Sequence, residues 1–316
     1  MQHAATRRRG PAPQAPGSTP LRARIVAAYG RNYLADAGGD APLACVTRGK
    51  RGDVVCGDEV LLLPGDPALI DSVLPRRNML WRQDLRRSKV FAANLDLLLV
   101  VTAAQPTPNL DLVGRALIAA GAEDIDCLLV LNKCELSQTA ELRRRLRPLE
   151  QCGYPVLELS ALGAPQHAVE ALRPWLAGRT SMLIGASGVG KSTLANALLP
   201  GINASTGALS EALNSGRHTT TSTRLWKLPG MPAASALLDS PGFQAFGLQH
   251  LSVTQLQHAL PELAQRNGRC RFQNCTHREE PGCVVREAVA AGEIDPERYA
   301  LYLRVLRELL QPGIQG

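Results

Sequence analysis

The sequence is poor in aromatic residues and has no long apolar run. Phenylalanine, tyrosine and tryptophan together make up 4% of the 316 residues, which is too few for an RNA-binding sheet covered with stacking rings. The most apolar stretch, Leu95 to Ala104, contains Asp96 and is about half as long as a membrane span. We therefore expect no contact with a membrane, and we expect any RNA contact to be directed mostly at phosphates.

Acidic residues are outnumbered, and no apolar segment follows the arginines near the N-terminus. The 35 Lys and Arg against 28 Asp and Glu give a formal net charge of +7, which favours a polyanionic partner such as nucleic acid. Arg7, Arg8 and Arg9 lack the apolar segment of a secretory signal behind them. We expect a cytoplasmic protein whose eight cysteines are thiols or metal ligands.

Changes of pattern divide the chain into four parts. Residues 1–20, rich in Pro, Ala, Gly and Arg, are expected to form a disordered basic tail. Short β-prone runs between turn residues predict a small β-barrel over 21–77. Apolar strands that alternate with amphipathic helices predict an α/β domain with a parallel sheet over 78–246, and a helical domain is expected over 247–316.

Three segments outside the α/β pattern carry their own expectations. The segment 76–89 places six basic residues around Met79 and Trp81 and is interpreted as a linker, either a solvated charged strand or a phosphate-contacting patch. Residues 252–265 predict a single helix. The last helix is expected to start at Asp295 with Pro296 in its first turn. Its apolar face is predicted to consist of Tyr299, Tyr302, Leu303, Leu306 and Leu310.

The run from Gly185 to Ser192 satisfies the phosphate-loop pattern G-x-x-x-x-G-K-[ST] between an apolar strand and a helix. Backbone amides of such a loop surround phosphate oxygens, Lys191 neutralises the β- and γ-phosphates, and the Ser192 hydroxyl binds Mg²⁺. The predicted phosphate-binding residues are Gly185, Ala186, Ser187, Gly188, Val189, Gly190, Lys191, Ser192 and Thr193.

Two further motifs follow apolar strands. Asp239-Ser-Pro-Gly242 supplies a carboxylate that holds Mg²⁺ through water and a glycine amide that senses the γ-phosphate. Asn132-Lys133-Cys134-Glu135 supplies a carboxylate that accepts hydrogen bonds from guanine N1–H and N2–H₂, which adenine lacks, so the wrong base leaves a polar group unpaired. Ser160-Ala161 ends the next strand and fits a base-edge loop. Together the motifs favour GTP over ATP.

The spacing Cys270-x4-Cys275-x-His277-x5-Cys283 supplies three thiolates and one imidazole, the ligand set of a closed tetrahedral zinc site. Because no coordination position stays open, we expect one structural zinc ion rather than a catalytic one. Its binding would supply folding energy to a domain with little apolar surface. The cysteines without ligand spacing, expected to be packing or bystander residues, are Cys45, Cys56, Cys127, Cys134 and Cys152.

The order of these motifs is that of a circular permutation. Ordinary GTPases carry the phosphate loop first, whereas here Asn132 and Ser160 precede Gly185, an arrangement that a sheet with neighbouring chain ends tolerates. With the run 216–220 (Gly-Arg-His-Thr-Thr) and the Cys/His cluster, the chain resembles the circularly permuted GTPases of bacterial ribosome assembly. It looks most like the family of ribosome small subunit-dependent GTPase A, also called the RsgA/YjeQ family, over about residues 22 to 310.

The resemblance implies an N-terminal OB-fold β-barrel, a central circularly permuted P-loop GTPase domain and a C-terminal α-helical zinc-binding domain. It implies a monomer that binds GTP and GDP and acts on the small ribosomal subunit and its rRNA late in maturation. Hydrolysis would be stimulated by the subunit and followed by release. The family more often has Asp at the base-reading position, and Glu135 reaches one methylene further.

The resemblance also implies roles in hydrolysis. Thr220 is the expected switch threonine that ligates Mg²⁺, with Thr219 and Thr221 as alternatives. Phe243 follows Gly242 where many GTPases have a glutamine that orients the attacking water, so slow intrinsic turnover is expected. The internal candidate for that task is His218, and an RNA contact beside Arg217 is the alternative role for it.

Two other functions stay open. An ATP-preferring P-loop enzyme, such as an ATPase or a small-molecule kinase, would let ATP compete with GTP, but the sequence offers no lid or extra acid/base cluster for it. An RNA-binding protein in which nucleotide only regulates binding, or is vestigial, would bind small subunits alike with GTP, GDP or neither. Lys191, Ser192 and Asp239 are intact, which disfavours a vestigial site.

Overall fold

The computed structural model describes residues 19–48, 53–83, 88–201, 223–239 and 248–311. The expected basic tail lies almost wholly outside the described residues, as do His218, Thr220, Gly242 and Phe243. Within the described ranges, no helix is long and apolar enough to cross a membrane.

Five strands close the N-terminal barrel. They are β1 (Leu21–Tyr29), β2 (Asn32–Asp36), β3 (Leu43–Thr47), β4 (Glu59–Leu63) and β5 (Ala68–Val73). Strand β1 pairs with both β2 and β4, and the circle closes in the order β1-β2-β3-β5-β4. Alternate side chains such as Ile25, Tyr33 and Leu62 fill its interior. The OB-like barrel is confirmed.

Within the described ranges, six strands and four helices build the α/β domain. The strands are β8 (Leu97–Ala103), β9 (Asp126–Asn132), β10 (Val156–Leu159), β11 (Thr180–Ile184), β12 (Thr223–Lys227) and β13 (Ala236–Asp239). The helices are α1 (Leu110–Gly121), α2 (Thr139–Gln151), α3 (Pro165–Leu176) and α4 (Lys191–Leu198). The strand order β10-β9-β8-β11-β13-β12 is parallel except for β12, so the predicted alternation of strands and helices is confirmed.

The barrel and the α/β domain share one sheet of eleven strands. Strand β1 pairs antiparallel with β12, with Ala27 opposite Arg224 and Ala28 opposite Thr223. The Lys227 Nζ lies 2.6 Å from Asp36 Oδ2 across the same boundary. The two domains are therefore joined by backbone hydrogen bonds as well as by the chain, which the sequence did not indicate.

The described part of the segment interpreted as a linker, 76–83 and 88–89, contains one strand and the start of a second. Strands β6 (Met79–Gln83) and β7 (Ser88–Ala93) form a two-stranded antiparallel sheet. Leu80 of β6 is 1% exposed, so this strand buries an apolar side chain and is not solvated on every side. The guanidinium of Arg76 fixes its start, because Nε and Nη2 donate to the buried carboxylate of Asp58 at 2.7 and 2.8 Å.

Four helices follow the α/β domain. They are α5 (Val253–His258), α6 (Pro261–Ala264), α7 (Val284–Ala290) and α8 (Pro296–Leu310). The single helix predicted over 252–265 is wrong: Leu260 is extended, and Pro261, which has no N–H to continue the first helix, starts a second one. Asp295 caps α8 as predicted. The buried apolar face of α8 consists of Leu301, Tyr302, Val305 and Leu306, whereas Leu310 is 48% exposed.

Helix α8 packs on α1, and the C-terminal helices share one hydrophobic core with the α/β domain. Gly114 of α1 allows this approach, since a Cβ there would lie 2.2 Å from Leu301 Cδ2. Arg115 on α1 binds the Glu308 carboxylate with both η nitrogens, at 2.9 and 2.5 Å. The C-terminal part thus obtains from its neighbour the apolar contacts that its own sequence lacks.

A buried ion pair lies in this shared region. Arg298 and Glu262 are 6% and 5% exposed, and Nε donates to Oε1 at 2.8 Å. Both η nitrogens of Arg298 are buried without a hydrogen-bond partner among the described residues, so Glu262 supplies the compensating charge. We expect Glu262→Ala to lower the free energy of unfolding by about 3–5 kcal/mol, because it leaves a buried charge unpaired.

Chemical denaturation of Glu262→Ala checks this expectation, and Arg304→Ala is the matched control. The Arg304 pair with Asp111 is about half exposed on both sides, and its loss should cost less than about 1 kcal/mol. Equal losses in the two variants would contradict the importance given to the buried pair.

Candidate nucleotide site and metal centre

The phosphate-loop motif lies where parallel strands end. Strand β11 leads into it, and α4 begins at Lys191. Gly188 and Gly190 adopt left-handed backbone conformations with φ of 78° and 99°, which glycine reaches without strain. The Lys191 Nζ folds back over the loop and donates to the carbonyls of Gly185 and Ala186 at 2.8 and 2.6 Å. The ammonium group therefore lies at the loop that is predicted to hold phosphate.

Asn132 joins three loops. It ends β9 and is 2% exposed. Its Nδ2 donates to the Val189 carbonyl at 2.8 Å, and its Oδ1 accepts from the Ala161 N–H at 2.9 Å. One amide side chain thus holds the predicted phosphate loop and the predicted base-edge loop against the start of the Asn132–Glu135 motif.

Lys133 connects a fourth loop, which contains Gln105, to the phosphate loop. The sequence did not indicate this connection. Its backbone is left-handed, with φ of 61°, and its Nζ donates to the carbonyls of Gln105 and Gly188 at 3.0 and 2.7 Å. Gln105 lies between β8 and α1, and β8 pairs with β11. The only signal for this loop was its position after a parallel strand, because such loops meet at one edge of the sheet.

Glu135 extends the same edge. The residue is exposed. A hydrogen bond with the Ser160 side chain lowers the pKa of Glu135, and the positive charge of Lys133 acts in the same direction. The carboxylate is therefore ionised at neutral pH and accepts hydrogen bonds, as a guanine-reading group must. Ser160 is itself fixed, since its Oγ accepts from the Gly163 N–H at 3.0 Å.

Asp239 lies at the end of strand β13, at the same edge of the sheet as the phosphate loop. Strand β13 pairs in parallel with β11, with Leu238 opposite Met182, and Asp239 is the last residue of β13. Its backbone therefore lies next to the strand that leads into the phosphate loop. His218, Thr220 and Gly242 fall outside the described residues, and their roles stay predictions.

The close contact between Gly190 and Asn132 allows a mutational test. A Cβ on Gly190 would lie 2.2 Å from Asn132 Nδ2, and the left-handed backbone there costs a non-glycine residue about 1–3 kcal/mol. We expect Gly190→Ala to weaken GDP binding about tenfold or more, measured by titration with a fluorescent GDP analogue.

Gly153→Ala is the control for this substitution. Gly153 has a similar φ of 96°, but no atom lies within 4 Å of the added Cβ. That variant should lose stability and keep its nucleotide affinity. Unchanged affinity in Gly190→Ala would show that Asn132 does not need its present position.

The four predicted zinc ligands converge in the C-terminal part. His277 Nδ1 lies 3.5 Å from Cys270 Sγ and 3.4 Å from Cys283 Sγ, the two sulfur atoms are 4.0 Å apart, and all four ligand atoms, including that of Cys275, lie within 4.8 Å of one another. Tetrahedral zinc with its usual bond lengths separates such ligands by about 3.6–3.8 Å. Among the described residues this is the one such group of His, Cys, Asp and Glu, and it fits one zinc ion.

The neighbouring helices hold this cluster through its backbone. The carbonyls of Cys275, Thr276 and His277 accept hydrogen bonds at 2.9, 2.6 and 2.5 Å. Their donors are Gln257 of α5 and Tyr302 and Tyr299 of α8, in that order. Because three successive carbonyls are held by hydrogen bonds, the backbone that carries the ligands Cys275 and His277 has little freedom to rearrange.

Glu280 organises the turn between the last two ligands. Its two carboxylate oxygens accept from Thr276 and from the backbone N–H groups of Arg278 and Glu279. Burial acts to raise the pKa of Glu280, but these hydrogen bonds outweigh it and lower the pKa to about 2. The carboxylate is thus ionised and engaged within its own loop.

The protonation of the cluster suits a metal. Burial raises the pKa of the Cys275 and Cys283 thiols and lowers that of His277, so without a cation all three are neutral at pH 7. Zinc binding must therefore displace protons from sulfur. Burial also raises the pKa of Cys45 and Cys56, which lie outside the cluster, to about 11 and 12. Those two thiols are packing residues, as expected.

Comparison with known proteins points to one family. Residues 73–249 match the sequence model of the RsgA GTPase family. A protein of Bordetella pertussis named small ribosomal subunit biogenesis GTPase RsgA is 51% identical over 289 residues, which are 90% of this chain and 95% of that protein. A protein of the same name from Paraburkholderia phytofirmans is 48% identical over 306 residues, covering 95% and 97% of the two chains.

Solved structures agree with the sequence comparisons. YjeQ from Thermotoga maritima superposes with a TM-score of 0.71 at 28% identity and covers 93% of this chain and 100% of its own. YloQ, described as a circularly permuted GTPase, gives a TM-score of 0.68 at 23% identity and covers 94% and 98%. The second likeness shows the fold alone, which is the permuted arrangement that the motif order predicted.

Proposed function

This chain belongs to the RsgA GTPase family and is a GTP-hydrolysing enzyme, and on that premise we propose that it hydrolyses GTP while bound to the small ribosomal subunit, late in the maturation of that subunit. The subunit stimulates turnover, and hydrolysis is followed by release. The protein acts in the cytoplasm as a monomer that exchanges GDP for GTP. The relatives whose names refer to small-subunit biogenesis support the choice of partner.

The observation that carries the proposal is the pair of hydrogen bonds made by Asn132. They join the predicted phosphate loop to the predicted base-edge loop, as the binding of one nucleotide requires. The phosphates would lie on the amides of residues 185–193, with Lys191 beside the β- and γ-phosphates. The base would lie at residues 132–135 and 160–161, where the Glu135 carboxylate selects guanine.

Mg²⁺ would bind together with GTP and neutralise charge on the β- and γ-phosphates. Ser192, at the start of α4, is the proposed direct ligand, Asp239 acts through water, and Thr220 completes the set when GTP is bound. All three offer the oxygen ligands that Mg²⁺ prefers. His218, or a group supplied by the subunit, positions the attacking water, since Phe243 has no group that could do so.

The zinc cluster has a structural role in this proposal. One Zn²⁺ held by Cys270, Cys275, His277 and Cys283 fixes the loop between α6 and α7. The barrel and this loop grip rRNA on either side of the GTPase domain, which agrees with the net charge of +7. The protein would then bind the subunit with both flanking domains while the nucleotide changes state between them.

Hydrolysis measured with and without purified small subunits tests the proposal. We expect slow turnover of GTP alone, a large increase with subunits, and no comparable competition by ATP. A group supplied in trans raises such rates by about 10³–10⁵. Equal rates with and without subunits would contradict the proposed partner, and equal competition by ATP would favour an ATP-preferring enzyme. Subunit binding that ignored the nucleotide would favour a vestigial site.

A further inference from the structure

Phe272 is an exposed aromatic ring on the zinc loop. It is 42% exposed and lies two residues after Cys270 and three before Cys275. The guanidinium carbon of Arg271 is 5.6 Å from the centroid of its ring. Neither the zinc site nor the core needs this side chain at the surface.

The loop that carries Phe272 is held from several sides. The Arg271 N–H donates to the Gly282 carbonyl at 3.1 Å, and the Phe272 carbonyl accepts from the Cys275 N–H at 3.2 Å. The carbonyls of Cys275, Thr276 and His277, further along the loop, accept hydrogen bonds from side chains of α5 and α8. A loop whose backbone is held before binding loses little backbone conformational entropy when a ligand covers its side chains.

Three arginines lie on the same loop as Phe272, together with the exposed Glu279 and the half-buried Glu280. Arg269, Arg271 and Arg278 are exposed, and none of them forms an ion pair with an acidic side chain within the described ranges. Both carboxylate oxygens of Glu280 accept hydrogen bonds from backbone N–H groups of its own turn. An exposed ring and exposed arginines without ion pairs on one loop offer the chemistry that binds an unstacked nucleobase and the phosphates next to it.

We propose that Phe272 is a stacking platform for one unpaired nucleobase of RNA, with Arg269, Arg271 and Arg278 binding the adjacent phosphates. The identification of that RNA as rRNA of the small subunit rests on the proposed function. The low aromatic content excludes a surface covered with rings, but one exposed ring is enough for one base.

Three substitutions of Phe272 test the platform by equilibrium binding to purified small subunits in the presence of a non-hydrolysable GTP analogue. Phe272→Ala and Phe272→Leu should bind about 5- to 100-fold more weakly, because both lose the π-face, whereas Phe272→Trp should bind as tightly as the unsubstituted protein or more tightly. Leu310→Ala, which removes an apolar side chain of similar exposure (48%) from α8, should have no effect.

Full binding by Phe272→Ala would overturn the proposal. Full binding by Phe272→Leu would overturn it too and would indicate an apolar pocket on a partner protein. Zinc content and GTP hydrolysis without subunits should be unchanged in every variant, which shows that the fold is intact.

Binding of a short single-stranded oligoadenylate, measured in parallel by fluorescence anisotropy, separates this inference from the proposed function. If the unsubstituted protein fails to bind subunits, the proposed function fails, but the oligonucleotide still tests the platform. The proteins with Phe or Trp at this position should bind it more tightly than those with Ala or Leu. Equal affinity in all four would overturn the stacking role.

Discussion

Replacing Lys191 by alanine is expected to abolish GTP hydrolysis. The Lys191 ammonium lies over the loop between β11 and α4, within 2.8 Å of two of its carbonyls, and GTP would draw it toward the β- and γ-phosphates. Lys133 also donates a hydrogen bond to this loop, at the Gly188 carbonyl. Loss of such a preorganised charge lowers a rate by about 10²–10³ or more. The measurement is phosphate release with and without subunits.

Lys227→Ala is the control for the removal of one positive charge. Lys227 is exposed and pairs with Asp36 at the edge of the barrel, so its loss should leave turnover without subunits near normal. Normal turnover by Lys191→Ala would remove the phosphate-loop assignment itself, and with it the proposed place of GTP.

Removing the metal should produce the largest loss of stability. Structural zinc contributes about 10–16 kcal/mol of binding free energy in zinc-finger peptides at pH 7, and here the ligands lie between α6 and α7 and are bound by α5 and α8. We therefore expect chelation, or the substitution Cys275→Ser, to unfold the C-terminal helices. Helical circular dichroism should fall, and the melting temperature should fall with it.

Metal analysis of the untreated protein should find one zinc ion per chain. Cys45→Ser is the matched control, because it changes a buried thiol that belongs to the barrel, and it should keep both the zinc and the C-terminal helices. A chelated protein that keeps its helices and its melting temperature would mean that the shared core with α1 suffices without metal.

Local sequence patterns correctly predicted those features whose structure depends on residues close together in sequence. The phosphate-loop spacing placed a strand before Gly185 and a helix after Gly190, and both are confirmed. The Cys/His spacing brought four ligands together because the loop between them is short and turns at Gly282, whose backbone is left-handed. The capping pattern of Asp295 and Pro296 marked the start of α8, since it depends on the first turn alone.

Contacts between distant segments were not predictable in the same way. The Lys133 bond to Gln105 and the pairing of β1 with β12 join residues far apart in sequence, and no periodicity signals them. The predicted buried face of α8 was partly wrong because it did not include Leu301. The side chain of Leu301 packs against Gly114 of α1, a contact that the sequence of α8 alone does not indicate. The pairing of β6 with β7 was not predicted because the six basic residues of 76–89 favour a solvated segment over a strand that is buried on one face.

The pairing of β1 with β12 has a consequence for the integrity of the enzyme. Strand β12 ends the α/β part of the sheet, and without β1 its outer backbone N–H and C=O groups would face solvent. Open edges of this kind recruit strands from other molecules and lead to aggregation. The N-terminal barrel therefore covers part of an edge that would otherwise favour self-association of the permuted domain.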